Sequence, residues 1–117
     1  MIEFLQIDFR FSDTRGDFVQ LCHTGWKQVN YSFTKAGVLR GGHYHKKNRE
    51  AFFIIEGRIE LTLKKDGKTK VYQVKSGDFF ALTPWTLHSF SFLEDTRMIS
   101  MYDLGVEEAD GEKDIYS

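Results

Sequence analysis

Three histidines and one glutamate carry the chemistry this sequence offers. His43-Tyr44-His45 is a His-x-His pair, Glu50 follows five residues later, and His88 stands well downstream. On a β-strand, residues two apart project to one side, so both imidazoles of the pair would share a face. A short hairpin after His45 would bring Glu50 back beside them. A barrel interior could then gather His43, His45, Glu50 and His88 at one point. Three imidazoles and a carboxylate suit a borderline divalent metal such as Zn, Fe, Mn, Ni or Co, and softness does not choose among these. Without a metal the same rings could move protons, because histidine titrates near working pH. They could also be pocket histidines satisfied by hydrogen bonds.

Such convergence requires strands, and the dominant apolar pattern has period two. Ile59, Leu61 and Leu63 alternate with Arg58, Glu60, Thr62 and Lys64, and Phe90 and Phe92 alternate with Ser89 and Ser91. Asp66-Gly67 between two such runs predicts a hairpin turn. Ser76-Gly77-Asp78 punctuates the next boundary. Strands are predicted over 2–10, 17–23, 27–34, 36–40, 43–45, 50–56, 58–65, 68–74, 78–82, 87–93 and 96–102. No stretch of ten residues carries a helical apolar stripe. The expected architecture is therefore all-β, a single barrel or sandwich domain over residues 1–117. Segment 105–117 holds Glu107, Glu108, Asp110, Glu112 and Asp114 and reads as a solvated or docked extension. Asp13-x-Arg15-Gly16 reads as a turn between the first strands.

The charge balance narrows the partners. Sixteen basic residues against seventeen acidic ones give a net charge of −1, which argues against nucleic-acid binding and against a polybasic membrane patch. The longest apolar run, Ala51 to Ile55, is far short of the ~20 residues of a spanning helix, so no membrane insertion is expected. Met1 to Gln6 lacks the basic and apolar pattern of a secretory signal. Cys22 is the single cysteine and cannot form an intrachain disulfide. A cytoplasmic protein is the expectation.

Gly37-x5-His43-x-His45-x4-Glu50-x6-Gly57 resembles the first cupin motif at every fixed position. The second motif is looser. Gly77 and His88 keep the family's separation, but Pro84 is displaced by one residue, Trp85 stands where glycine is usual, and Phe92 replaces the usual asparagine. The resemblance implies a jelly-roll β-barrel (a double-stranded β-helix) with the site inside. It also implies that His43, His45, Glu50 and His88 are metal ligands. Phe11-x-Asp13-x-Arg15-Gly16-x-Phe18, Gln28-Val29-Asn30 and Gly37-Val38-Leu39-Arg40-Gly41-x-His43 further resemble the sugar-nucleotide cupins. Among these are the dTDP-4-dehydrorhamnose 3,5-epimerases and the dTDP-4-keto-6-deoxyhexose 3,4-ketoisomerases. His43 to Glu50 is similar to the metal-binding cupin half of a bifunctional capsular-polysaccharide reductase/epimerase, and Asp114-Ile115-Tyr116 is similar to tails in that group.

The activity this resemblance implies is epimerisation or ketoisomerisation of a nucleotide-linked 4-keto sugar in cell-surface polysaccharide synthesis. That chemistry needs a base for the proton next to the ketone, stabilisation of the enolate, and an acid. By resemblance His43 matches the family's base and Arg40 its phosphate-contacting arginine, whose planar fork suits phosphate. The family's acid is often a tyrosine, and Tyr102 and Tyr31 are the candidates; His45 is the other proton-moving candidate. A metal-bound His43 cannot also be the base, so either the site is metal-free, or a metal acts as Lewis acid on the ketone and another group takes the proton. Lys47, with Lys46 and Arg49, could attract a diphosphate or simply be solvated. Trp85 could stack on a base or sugar ring, or simply pack. The expected cofactor is a divalent transition metal, with no nucleotide cofactor. The expected partners are a nucleotide-sugar substrate and a second copy of the chain in a homodimer, the commonest closed assembly. Two other functions remain compatible with the ligand set: a non-catalytic metal- or sugar-binding module, and a metal-dependent oxygenase.

Overall fold

The period-two runs become eleven strands, all paired antiparallel, in a computed structural model that describes residues 1–117. They are β1 (Ile2–Phe4), β2 (Phe9–Asp13), β3 (Gly16–Gln20), β4 (Gln28–Thr34), β5 (Leu39–His43), β6 (Glu50–Glu56), β7 (Arg58–Lys65), β8 (Lys68–Lys75), β9 (Phe79–Leu82), β10 (Leu87–Phe92) and β11 (Thr96–Tyr102). A five-stranded sheet has the order β1-β9-β6-β11-β4, and a four-stranded sheet the order β5-β10-β7-β8. The β2-β3 hairpin is separate. This two-sheet, all-antiparallel arrangement is the expected cupin jelly roll. No helix is long and apolar enough to cross a membrane.

The inward positions of both sheets form one core. Phe52 and Ile54 of β6, Ile59, Leu61 and Leu63 of β7, and Phe90 and Phe92 of β10 are all buried in it. Each such side chain removed from water contributes roughly 1.5–3 kcal/mol before conformational entropy is subtracted. A second apolar layer lies on the other side of the five-stranded sheet. There Ala51, Phe79, Ala81 and Met101 are covered by Leu5, Ile7, Leu21 and Trp26. Strands β6 and β9 are thus buried on both faces, which explains why Ala51 to Ile55 is an unbroken apolar run rather than an alternating one.

Strand β7 passes to β8 through Asp66 and Gly67, whose φ angles are 52° and 76°. Two successive left-handed residues make the turn whose twist matches a two-residue hairpin.

The structure departs from the predicted strands at four places. The stretch 17–23 ends at Gln20. The stretch 2–10 is two strands, because Leu5 and Ile7 leave the sheet edge to cover the outer apolar layer. The stretch 36–40 moves to Leu39–His43, since the backbone N–H of Gly37 is already donated to the Phe92 carbonyl in a turn. The stretch 43–45 is not a strand. Beyond His43 only Tyr44 pairs, and its partner is Tyr116.

Candidate active site

The four ligand-type residues converge at one end of the space between the sheets. His43 ends β5 and lies opposite His88 of β10. Glu50 starts β6 and lies opposite Tyr102 of β11. One ligand atom from each of His43, His45, Glu50 and His88 can be chosen so that all lie within 4.8 Å of one another. The ring centroids of His43 and His88 are 4.5 Å apart, and those of His43 and His45 are 5.4 Å apart. His45, Glu50 and His88 are buried, whereas His43 is half-buried and the most exposed of the four.

Close approach of β5 to β10 sets this geometry. Gly41 has φ +104°, and a Cβ there would sit 2.6 Å from the His88 carbonyl oxygen. Glycine is required on both counts, and a register shift in β10 falls at the same place, between His88 and Ser89.

Hydrogen bonds orient the rings. His45 Nδ1 donates to the Asp114 carbonyl at 2.6 Å, and its Nε2 lies 2.9 Å from Glu50 Oε1. Protonation of the ring would place a positive charge between these two acceptors. Burial opposes that charge, but the Glu50 carboxylate and the Asp114 carbonyl outweigh it and raise the pKa. His88 is in the opposite condition. Its Nδ1 donates to the Thr86 carbonyl at 3.0 Å, and burial pushes its pKa down to about 4. The neutral ring therefore turns its Nε2 lone pair inward. That atom is buried without a hydrogen-bond partner and lies 3.6 Å from Glu50 Oε1. A lone pair aimed at a carboxylate is an unfavourable contact that a cation between them would relieve. The donor set fits a divalent transition metal. Burial also lowers the His43 pKa, leaving that ring neutral.

The other candidate residues divide. Tyr102 is buried, with its ring edge-on to His45 at a centroid distance of 5.1 Å. Burial and the nearby Glu50 charge raise its pKa, so it stays a phenol. Arg40 lies opposite Phe90, and its Nε donates to Thr34 Oγ1 at 2.9 Å, bridging the edge strands β5 and β4. Tyr31 is not brought to the cluster. It is exposed on the outer face of β4, where its hydroxyl accepts a bond from Arg97 at 2.6 Å. Lys47 is exposed and paired with Glu108. Trp85 is exposed, stacked on Tyr44 at 5.5 Å. Its φ of 66° explains why glycine is usual there.

Sequence reasoning passed over two residues that hold the site together. The Asp114 carboxylate accepts the backbone N–H groups of Lys46, Lys47 and Asn48 at 2.9, 3.0 and 2.9 Å. Buried Asn48 donates to the Gly105 carbonyl and to Asp114, both at 2.9 Å, and accepts from the Leu104 N–H. The likeness of Asp114-Ile115-Tyr116 to other tails was the only available signal.

Comparison with known proteins finds relatives in sequence and in fold. The sequence model of the family described as "Polysaccharide biosynthesis C-terminal domain" matches residues 11–103. A UDP-2-acetamido-2,6-beta-L-arabino-hexul-4-ose reductase from Pseudomonas aeruginosa is 43% identical over 47 residues, which is 39% of this chain and only 13% of that protein. Among solved structures, the TDP-quinovose 3,4-ketoisomerase WlaRB from Campylobacter jejuni superimposes with a TM-score of 0.80 at 16% identity, covering 97% of this chain and 92% of that one. The dTDP-4-dehydrorhamnose 3,5-epimerase from Sulfolobus tokodaii gives a TM-score of 0.68 at 23% identity, covering 86% and 74%.

Proposed function

The chain belongs to the polysaccharide biosynthesis C-terminal domain family, and from that premise we propose that it epimerises or ketoisomerises a nucleotide-linked 4-keto sugar by proton transfer next to the ketone. The observation that carries this reading is the meeting of three imidazoles and one carboxylate in a fold shared with a 3,4-ketoisomerase and a 3,5-epimerase. His43 is the least buried ring of the cluster, and burial still lowers its pKa and favours the neutral form. A neutral imidazole can take a proton from a substrate carbon. Tyr102, held as a phenol, can return one. Arg40, at the edge between β5 and β4, suits the diphosphate.

A second reading rests on the orphaned His88 Nε2. In it His43, His45, Glu50 and His88 hold a divalent transition metal. Such an ion would supply Lewis-acid stabilisation of charge on the ketone oxygen. His43 would then be a ligand rather than the base. Elemental analysis of the purified protein separates the two readings.

Incubation in D2O with a panel of dTDP- and UDP-4-keto sugars tests the function. Deuterium should enter at the carbon beside the ketone. Tight binding without exchange would instead mark a binding module, and substrate-dependent oxygen consumption an oxygenase. The proposed setting is the cytoplasm and the proposed assembly a homodimer. Phe9, Phe11 and Phe18 of the β2-β3 hairpin and Val29 and Tyr31 of β4 are exposed and suit a second copy. A monomer mass by light scattering would refute the dimer.

A further inference from the structure

From residue 103 to residue 117, Asp114 is the one buried residue. Its neighbours Lys113 and Ile115 are exposed, yet it is itself 0% exposed. A buried carboxylate costs several kcal/mol unless it is paired or fully hydrogen-bonded. No lysine, arginine or histidine lies in an ion pair with Asp114. Its partners are three consecutive backbone amides, Lys46 to Asn48, together with the Asn48 side chain.

This clamp does more than fasten a loose segment. The Asp114 N–H donates to the Val106 carbonyl at 2.8 Å, and Tyr44 and Tyr116 exchange backbone bonds at 2.8 and 3.0 Å. The main chain at 114 is therefore fixed from both sides and through its own side chain. What that fixed main chain offers is its carbonyl, and the group it meets is Nδ1 of His45. By accepting the Nδ1 proton, that carbonyl commits the ring to present Nε2 toward Glu50. Partners of this kind orient ligating histidines and raise their basicity. An anchor with no role beyond docking would be satisfied by an apolar side chain in this position.

We infer that Asp114 is a positioning residue for the histidine cluster: its carboxylate grips the 46–48 backbone so that its carbonyl locks the His45 ring. The consequence for cation affinity rests on the second reading of the site above; the consequence for the ring does not.

The test uses the full chain, Asp114→Ala, and Tyr116→Ala as a variant that loosens the segment but leaves the clamp. One readout is the His45 ring in 15N-resolved NMR at fixed pH. The wild type should show a protected Nδ1 proton, Asp114→Ala should lose it, and Tyr116→Ala should keep it. The other readout is Co(II) binding followed by visible absorbance. Asp114→Ala should weaken it by about 10- to 100-fold, with Tyr116→Ala changing it by less than about threefold. Should Asp114→Ala not fold, Asp114→Asn keeps the shape but opposes an amide to a backbone N–H, and the same two signals should fall. A retained Nδ1 proton with unchanged Co(II) affinity overturns the inference. If even the wild type gives no Co(II) signal, the cation reading is lost, and the ring proton alone decides whether Asp114 positions His45.

Discussion

The space between the two sheets has a dry end and a polar end built from the same strands. On β6 the inward side chains run Glu50, Phe52, Ile54, and on β10 they run His88, Phe90, Phe92. Besides residue type, the polar end differs by the register shift between His88 and Ser89. At the dry end each position is satisfied by contact alone, and the Phe52 ring centroid lies 5.4 Å from that of Phe80 and 5.0 Å from that of Phe90. At the polar end each ring needs a directed partner, and one, His88, lacks it on its inward side. Parity places a side chain inside; hydrogen bonds, local for His88 and from a distant segment for His45, decide how it points there.

His43→Asn should split the ends most widely. Turnover in the deuterium-exchange assay should fall by about 10²- to 10⁴-fold, while the urea midpoint stays close to wild type. A comparable loss of stability would mean that the polar end also supports the fold. Phe52→Ala should do the reverse, costing about 3–5 kcal/mol in urea unfolding because a packed aromatic leaves a cavity. Acid should loosen the polar end first. Burial opposes ionisation of Asp114, but the Asn48 side chain and the amides of 46–48 prevail and hold its pKa below the ordinary 3.8. The docked carboxylate thus contributes fully above 3.8, and its contribution is lost as pH falls from there through the lowered value. Urea midpoints measured from pH 6 downward should drop in this window for the wild type and less steeply for Asp114→Asn. Tyr31→Phe should do least, within about 0.5 kcal/mol for stability, since it removes an exposed contact. Turnover should be unchanged, and a large drop would place the outer face of β4 in the chemistry.

Much of the dry end was legible in the sequence. Strands 50–56, 58–65 and 96–102 stand at their predicted limits because their apolar faces alternate or are doubly buried. The four cluster residues were legible from spacing and motif. Their surroundings were not. Tyr31 shares the parity of Val29 and Phe33, so the apolar residues of β4 face outward while Asn30 and Ser32 face in. On an edge strand beside a polar opening the usual reading of the alternation inverts. Trp85 carries an aromatic side chain on a backbone conformation that belongs to glycine, and this turns it onto Tyr44 rather than toward the cluster. The role of segment 105–117 depends on contacts spanning more than sixty positions, and an acidic stretch without periodicity gives no hint of them.

The contact at Gly41 has a practical consequence. The separation of two site histidines is fixed there by main chain pressing on main chain, and no repacking of side chains can restore it once a methyl group intrudes. Any reshaping of this site should therefore hold position 41 constant, because a side chain there would prise the two histidine-bearing strands apart.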